Sequence, residues 1–223
     1  MRCKPASRWL LCLALFLAAP AFAADDELPQ TSHDGLVLQQ SKTAQILYVR
    51  PGVDLGAYKR VAILDCPVAF KKDWQRDQNR SGQRITQKEM DKIKANLSAE
   101  FLKVFTDELQ NKGGYEIVTE GAADVIVLRP AIIDLEVTAP DTMDPGRGFT
   151  VSDSAGAMTL YLEVYDSVSS QILARAIDRK AGMDTGIQWR NGVSNKADAD
   201  RILRRWADTL RKRLDAVHGK AGN

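Results

Sequence analysis

Residues able to do chemistry are few in this 223-residue chain, and their spacing argues against most chemistry. The two histidines, His33 and His218, lie in terminal stretches expected to be mobile, so neither a Ser-His-Asp arrangement nor a histidine zinc site assembles from them. There is no phosphate-binding glycine loop, no GxGxxG after a strand and no Cys-x-x-Cys pair, so no cofactor is implied. Asp141, Asp144 and Asp153 could hold a hard cation or work as paired carboxylates in a hydrolase. Their spacing fits no defined calcium loop, and solvated acids that cap turns are the expected reading. Glu163 falls opposite Arg175 if the hairpin closes with Asp166 facing Ile172, which predicts a cross-strand ion pair. Cys66, a lone thiol between an apolar strand and Pro67, is expected as a small buried hydrophobe. Trp74 and Trp189 sit in polar surroundings, where an indole either folds back onto the core or presents a contact surface. Together with Asp141, Asp144, Arg147 and Phe149 they form the candidate partner surface.

The elements that must position these residues centre on 157–180. Met158, Leu160, Leu162 and Val164 alternate with Thr159, Tyr161, Glu163 and Tyr165, the pattern of a half-buried strand. The polar turn 166–170 then leads into a second strand over Ile172–Asp178, giving a hairpin. Earlier, Thr86-Gln87-Lys88-Glu89 reads as a capping box, and Ile85 with Met90 as a hydrophobic staple. The helix that follows carries the stripe Met90, Ile93, Leu97, Phe101, Val104, Phe105 and Leu109, and ends at Asn111–Gly114. A last helix over about 196–217 has the stripe Ala199, Ile202, Leu203, Trp206, Leu210, Leu214 and Val217, with Arg211 among the residues off it. Its basic face is interrupted by Asp198, Asp200, Asp208 and Asp215, which marks a solvated surface more than a lipid-binding one, although peripheral membrane contact stays open.

The first expected strand is 61–64, with 46–49 a candidate short strand that Arg50-Pro51-Gly52 breaks; 115–118 and 124–137 follow, with Pro130 marking a bulge, a bend or an edge segment. Residues 71–84 read as a charged loop, and 139–156 as the largest loop. The resulting fold class is α+β: a mostly antiparallel sheet of about five strands with two long helices on one face, a two-layer sandwich in the order β-α-β-β-β-β-α. If the strands after the first long helix pair consecutively, Trp189 and the loop 139–156 share one end of the sheet.

Arg2, Lys4 and Arg8 precede the apolar run Trp9–Ala19, and Ala21-Phe22-Ala23 supplies small residues for cleavage after Ala23. The run is too short to span a bilayer, which takes about 20 residues. The expected organisation is therefore a signal peptide at 1–23, a flexible leader at 24–44, one domain at 45–218 and a tail at 219–223, in a periplasmic protein with no retained span. Removing three basic residues leaves 28 against 29 acidic, a near-neutral chain that argues against nucleic acid as the main partner. Cys3 and Cys12 leave with the signal, so no intramolecular disulfide forms.

Across Ile46 to Leu214 the chain resembles the bacterial domain-of-unknown-function family 3313, whose members are described as lipoproteins. The resemblance runs through Asp54-Leu55-Gly56-Ala57-Tyr58, Ala131-Ile132-Ile133-Asp134-Leu135, Leu162-Glu163-Val164-Tyr165-Asp166-Ser167, Leu173-Ala174-Arg175-Ala176-Ile177-Asp178, and Trp206-Ala207 with Leu210-Arg211. It implies a location in a Gram-negative-type envelope and supplies no catalytic residues. The family's usual lipidated cysteine has no counterpart, because Cys12 lies inside the apolar run. The functional expectation is a non-enzymatic periplasmic interaction or accessory module whose partners are envelope proteins. A carrier of a small apolar ligand or lipid is the alternative, and a hydrolase using the loop carboxylates the third reading.

Overall fold

The structure, a computed structural model, describes residues 28–80, 82, 84–137, 150–152, 156–181, 188–190 and 192–220. It has the expected α+β architecture, a single mostly antiparallel sheet covered on one face by the two long helices. Eight strands make up that sheet: β1 (Val37–Gln39), β2 (Ile46–Val49), β3 (Arg60–Ile63), β4 (Val68–Phe70), β5 (Glu116–Ile117), β6 (Val125–Glu136), β8 (Ala157–Asp166) and β9 (Ile172–Ala181). A separate two-stranded ribbon joins β7 (Thr150–Ser152) to β10 (Gln188–Arg190). The helices are α1 (Trp74–Arg80), α2 (Gln87–Thr106) and α3 (Gly192–Val217).

The order across the sheet is β1-β2-β9-β8-β6-β3-β5, with β4 also on β6. Three pairings are parallel, β3 with β6, β4 with β6 and β3 with β5. Consecutive strands β5 and β6 are therefore not neighbours, since β3 lies between them. The expected strands form, and the additional ones are short. Strands of three residues carry too little periodicity to be read from sequence, and exist because a partner edge is there to bond them.

Pro130 sits inside a continuous ladder, directly opposite Leu162. Even-numbered residues of β6 turn their backbone groups toward β3 and β4: Leu128 O accepts from Leu64 N–H at 2.9 Å, and Ile132 N–H donates to Pro67 O at 2.9 Å. Pro130 falls in the gap between those two bonds, so its missing N–H costs no ladder bond. The bulge lies farther on, between Ile133 and Glu136, where Asp134 takes φ 51°. Gly156 meets that bulge with φ 69°, and a Cβ there would sit 2.6 Å from Glu136 O, which only glycine avoids.

The α2 start is as expected: Thr86 Oγ1 accepts from Glu89 N–H, and the Glu89 carboxylate accepts from Thr86 N–H at 2.7 Å. Its stripe then packs with α3 and the sheet's inner face around Phe101, Phe105, Leu109, Leu128, Ile132 and Leu203, all fully buried. The helix closes in a π-helical turn, Asp107–Lys112. Val217, placed on the α3 stripe by periodicity, is 48% exposed, because it is the last residue of the helix and lies beyond the packed layer.

Two segments depart from expectation. Residues 71–84 contain α1, which forms because Trp74 is anchored against Phe70. Residues 28–44 are not a featureless leader: they carry β1, and Leu36 is fully buried.

Candidate functional site

The sequence candidates separate. Trp74 is buried, stacks on Phe70 at a ring distance of 4.3 Å and packs with Ile85 and Met90. It therefore folds back and presents no contact surface. Its indole N–H has no partner among the described residues. Trp189 lies in β10, where its backbone pairs opposite Val151 of β7. The two stretches singled out in the sequence thus meet as one ribbon. Asp141, Asp144, Arg147 and Phe149, and Asp153 with them, lie outside the described residues.

The described residues concentrate ionisable groups in three places. On the outer sheet face, the alternation of β8 puts Tyr161, Glu163 and Tyr165 side by side. Glu163 accepts from Tyr161 Oη at 2.9 Å, Tyr165 Oη at 2.7 Å, and Arg175 Nε and Nη2 at 3.0 and 2.9 Å. It is directly opposite Arg175, as expected. The turn closes one step off the expected register, with Ile172 facing Tyr165 and Asp166 N–H bonded to Gln171 O. Arg175 also grips Asp34 through Nη2 at 2.5 Å, and Arg129 approaches Glu163 at 3.8 Å.

Burial pushes the Glu163 carboxyl up, but the hydrogen bonds from Tyr165, Arg175 and Tyr161 outweigh it and hold it below the ordinary carboxylate range. Burial, and then donation to Glu163, push both tyrosines up. Burial also opposes the Asp34 charge, yet Ser32 and Arg175 hold that carboxyl at about 2. A carboxylate held ionised between two tyrosines held in their protonated, neutral form is a poor proton shuttle near neutrality.

The second cluster ties the π-helical turn to α3. Arg211 donates to Glu108 at 2.9 Å, Asp208 at 2.8 Å and Asp215 at 2.7 Å; Lys112 adds a 2.6 Å bond to Glu108, and Tyr115 Oη reaches Asp215 at 2.9 Å. His218, expected to be mobile, is held here: its Nε2 lies 2.9 Å from Tyr58 O and its Nδ1 2.7 Å from Leu214 O. The third is Asp178, 4% exposed, which accepts from Trp206 Nε1 at 2.7 Å and pairs with Lys180 at 2.9 Å.

Sequence reasoning missed Asp34, which lay in a stretch read as leader, and Glu108, which occupies the stripe position one turn after Val104. An acid on an apolar stripe signals a buried partner, and Arg211 is that partner. Among the described residues, no group of three or more His, Cys, Asp or Glu side chains could hold a metal ion, and no helix is long and apolar enough to cross a membrane.

Solved structures of low identity overlap the chain. A PelC dodecamer from Paraburkholderia phytofirmans has 12% identity and a TM-score of 0.37, covering 73% of this chain and 96% of that one. A minor lipoprotein from Acinetobacter baumannii has 10% identity and a TM-score of 0.31, covering 73% and 95%. Scores of that size carry no argument about function. A search of curated proteins gives no match. The model of the family described as a protein of unknown function, DUF3313, matches residues 30–210, and the chain belongs to that family.

Proposed function

We propose that the protein is an exported envelope protein that acts as a non-enzymatic interaction module, with the β7–β10 ribbon and the chain beside it as its partner surface. The observation that carries this reading is the backbone pairing of Trp189 with Val151, which joins the two irregular stretches that flank the β8–β9 hairpin in sequence. Periplasmic location rests on the basic and then apolar leader ending in Ala21-Phe22-Ala23. The ion-pair clusters support a structural role for the buried charges, since Glu163, Glu108 and Asp178 each have their acceptor atoms engaged by cations or donors of the fold. A carrier would need space between the layers, whereas Phe101, Phe105, Leu109, Leu128 and Ile132 are fully buried there.

The test places a photo-crosslinking residue at Trp189, at Phe149 and, as control, at Lys88 on α2, in cells of the native host. Discrete adducts with one envelope protein from the first two sites and none from Lys88 are expected, from a mature chain beginning at Ala24. Adducts equally frequent at Lys88, or a cytoplasmic protein with an intact N-terminus, would overturn the proposal.

A further inference from the structure

Residues 28–39 are a small unit with their own bonding. Ser32 N–H donates to Leu36 O at 2.8 Å, Gly35 N–H to Ser32 O at 3.0 Å, and Leu36 N–H to Ser32 Oγ at 3.0 Å, a turn that requires the φ of 79° at Gly35. Leu38 N–H donates back to Gln30 O at 2.9 Å, and Thr31 bridges Val37. These bonds are internal to the unit and survive its movement as a body.

Its attachment to the sheet is of another kind. The β1 ladder on β2 runs over three residue pairs, Val37 with Val49, Leu38 with Tyr48 and Gln39 with Leu47. Every other link uses side chains of the sheet. Arg175 holds the Asp34 carboxylate, Arg50 Nη2 donates to Asp34 O at 3.0 Å, and Tyr48 Oη donates to Pro29 O at 2.7 Å. Leu36 packs with Tyr48 and Ile172 in a cluster distinct from the main core, with Ile46 and Tyr165 beside it. Residues 41 and 43, just beyond the unit, are held from α3 by Arg213 at 3.0 and 2.7 Å, which provides a fixed pivot.

A backbone ladder for general affinity, a guanidinium for one carboxylate and an apolar cup two residues farther on are the components of peptide recognition by strand addition. We propose that residues 28–39 are a detachable latch, the resident occupant of a strand-addition site on the β2 edge that takes a peptide with an acid for Arg175 and an apolar residue two positions later. Release leaves no orphaned charge, because Arg175 keeps Glu163, and it exposes no part of the main core. The proposal is independent of the ribbon surface, so failure of crosslinking at Trp189 does not bear on it.

Hydrogen exchange and peptide binding on the whole protein test it. Amides of 28–39 are expected to exchange at least about tenfold faster than those of β8 and β9, and Asp34→Asn to speed the latch about tenfold more with β8 and β9 unchanged. A fluorescent peptide of residues 28–39 is expected to bind the Asp34→Asn, Leu36→Ala variant at least about tenfold more tightly than the native chain, whose site is occupied. The same peptide with Asn at its Asp34 position is expected to bind weakly. If the double variant lacks a cooperative melt, Asp34→Asn alone serves in the binding measurement. Latch amides exchanging at the rate of β8 and β9, or no binding of the peptide to the opened variant, would overturn the proposal.

Discussion

At Glu163 a single side chain collects two tyrosine hydroxyls and a guanidinium that donates twice to Oε1, on the sheet face turned away from the helices. Removing it strands Arg175, whose side chain is 13% exposed, with only Asp34 as counter-charge. Glu163→Ala is expected to lower unfolding free energy by about 3 kcal/mol in urea titration, the lower end for breaking a buried pair because Asp34 remains. Asp34 and Asp166 show the pH dependence most plainly. Asp166 is held at about 2 by donation from Ser169 and Tyr58, and Asp34 at about 2 as described, against an ordinary value of 3.8. Both carboxyls are lowered on folding, so their stabilisation is complete above the ordinary value and is lost as the pH falls through about 2. Urea midpoints are expected to be flat above about pH 5 and to fall steeply between about 4 and 2. Asp34→Asn is expected to remove part of that fall. The Glu163–Arg175 pair was legible because alternation on each strand and the turn residues set their faces and approximate register; Asp34 was not, since nothing near it in sequence indicates which cation it meets.

The elements differ in how far local rules define them. The start of α2 is written in four residues, and the reciprocal bonds between Thr86 and Glu89 follow from them. Thr86→Ala is expected to cost about 1 kcal/mol in thermal unfolding, with faster amide exchange confined to the first turn of α2. The end of α2 is less local. There the π-helical turn presents Glu108 and Leu109 as successive buried residues, and Arg211 on α3 is what makes burial of Glu108 tolerable. Pro130 shows the converse: a residue that argues against a central strand is accommodated because β3 ends and β4 begins on either side of it. No signal within β6 announces that gap.

For the molecule as a whole, the inner layer is one apolar body that includes Cys66, 3% exposed, with burial pushing its thiol up to about 12. Its labelling by a thiol reagent is expected to be negligible in the native state and to follow global unfolding as urea is raised; fast native labelling would mean that the β3–β4 corner opens locally. Amino-acid order alone determined the capped first long helix, the hairpin with its two faces and the α+β class, because each depends on periodicity or on side-chain bonds spanning a few residues. Tertiary structure alone decided the sheet order, the parallel insertion of β3 between β5 and β6, the inward turn of Trp74 and the folding of residues 28–39 onto Arg175. Those outcomes depend on which edges and charges meet across long sequence separations, and each is stabilised by a partner whose position the local sequence does not encode.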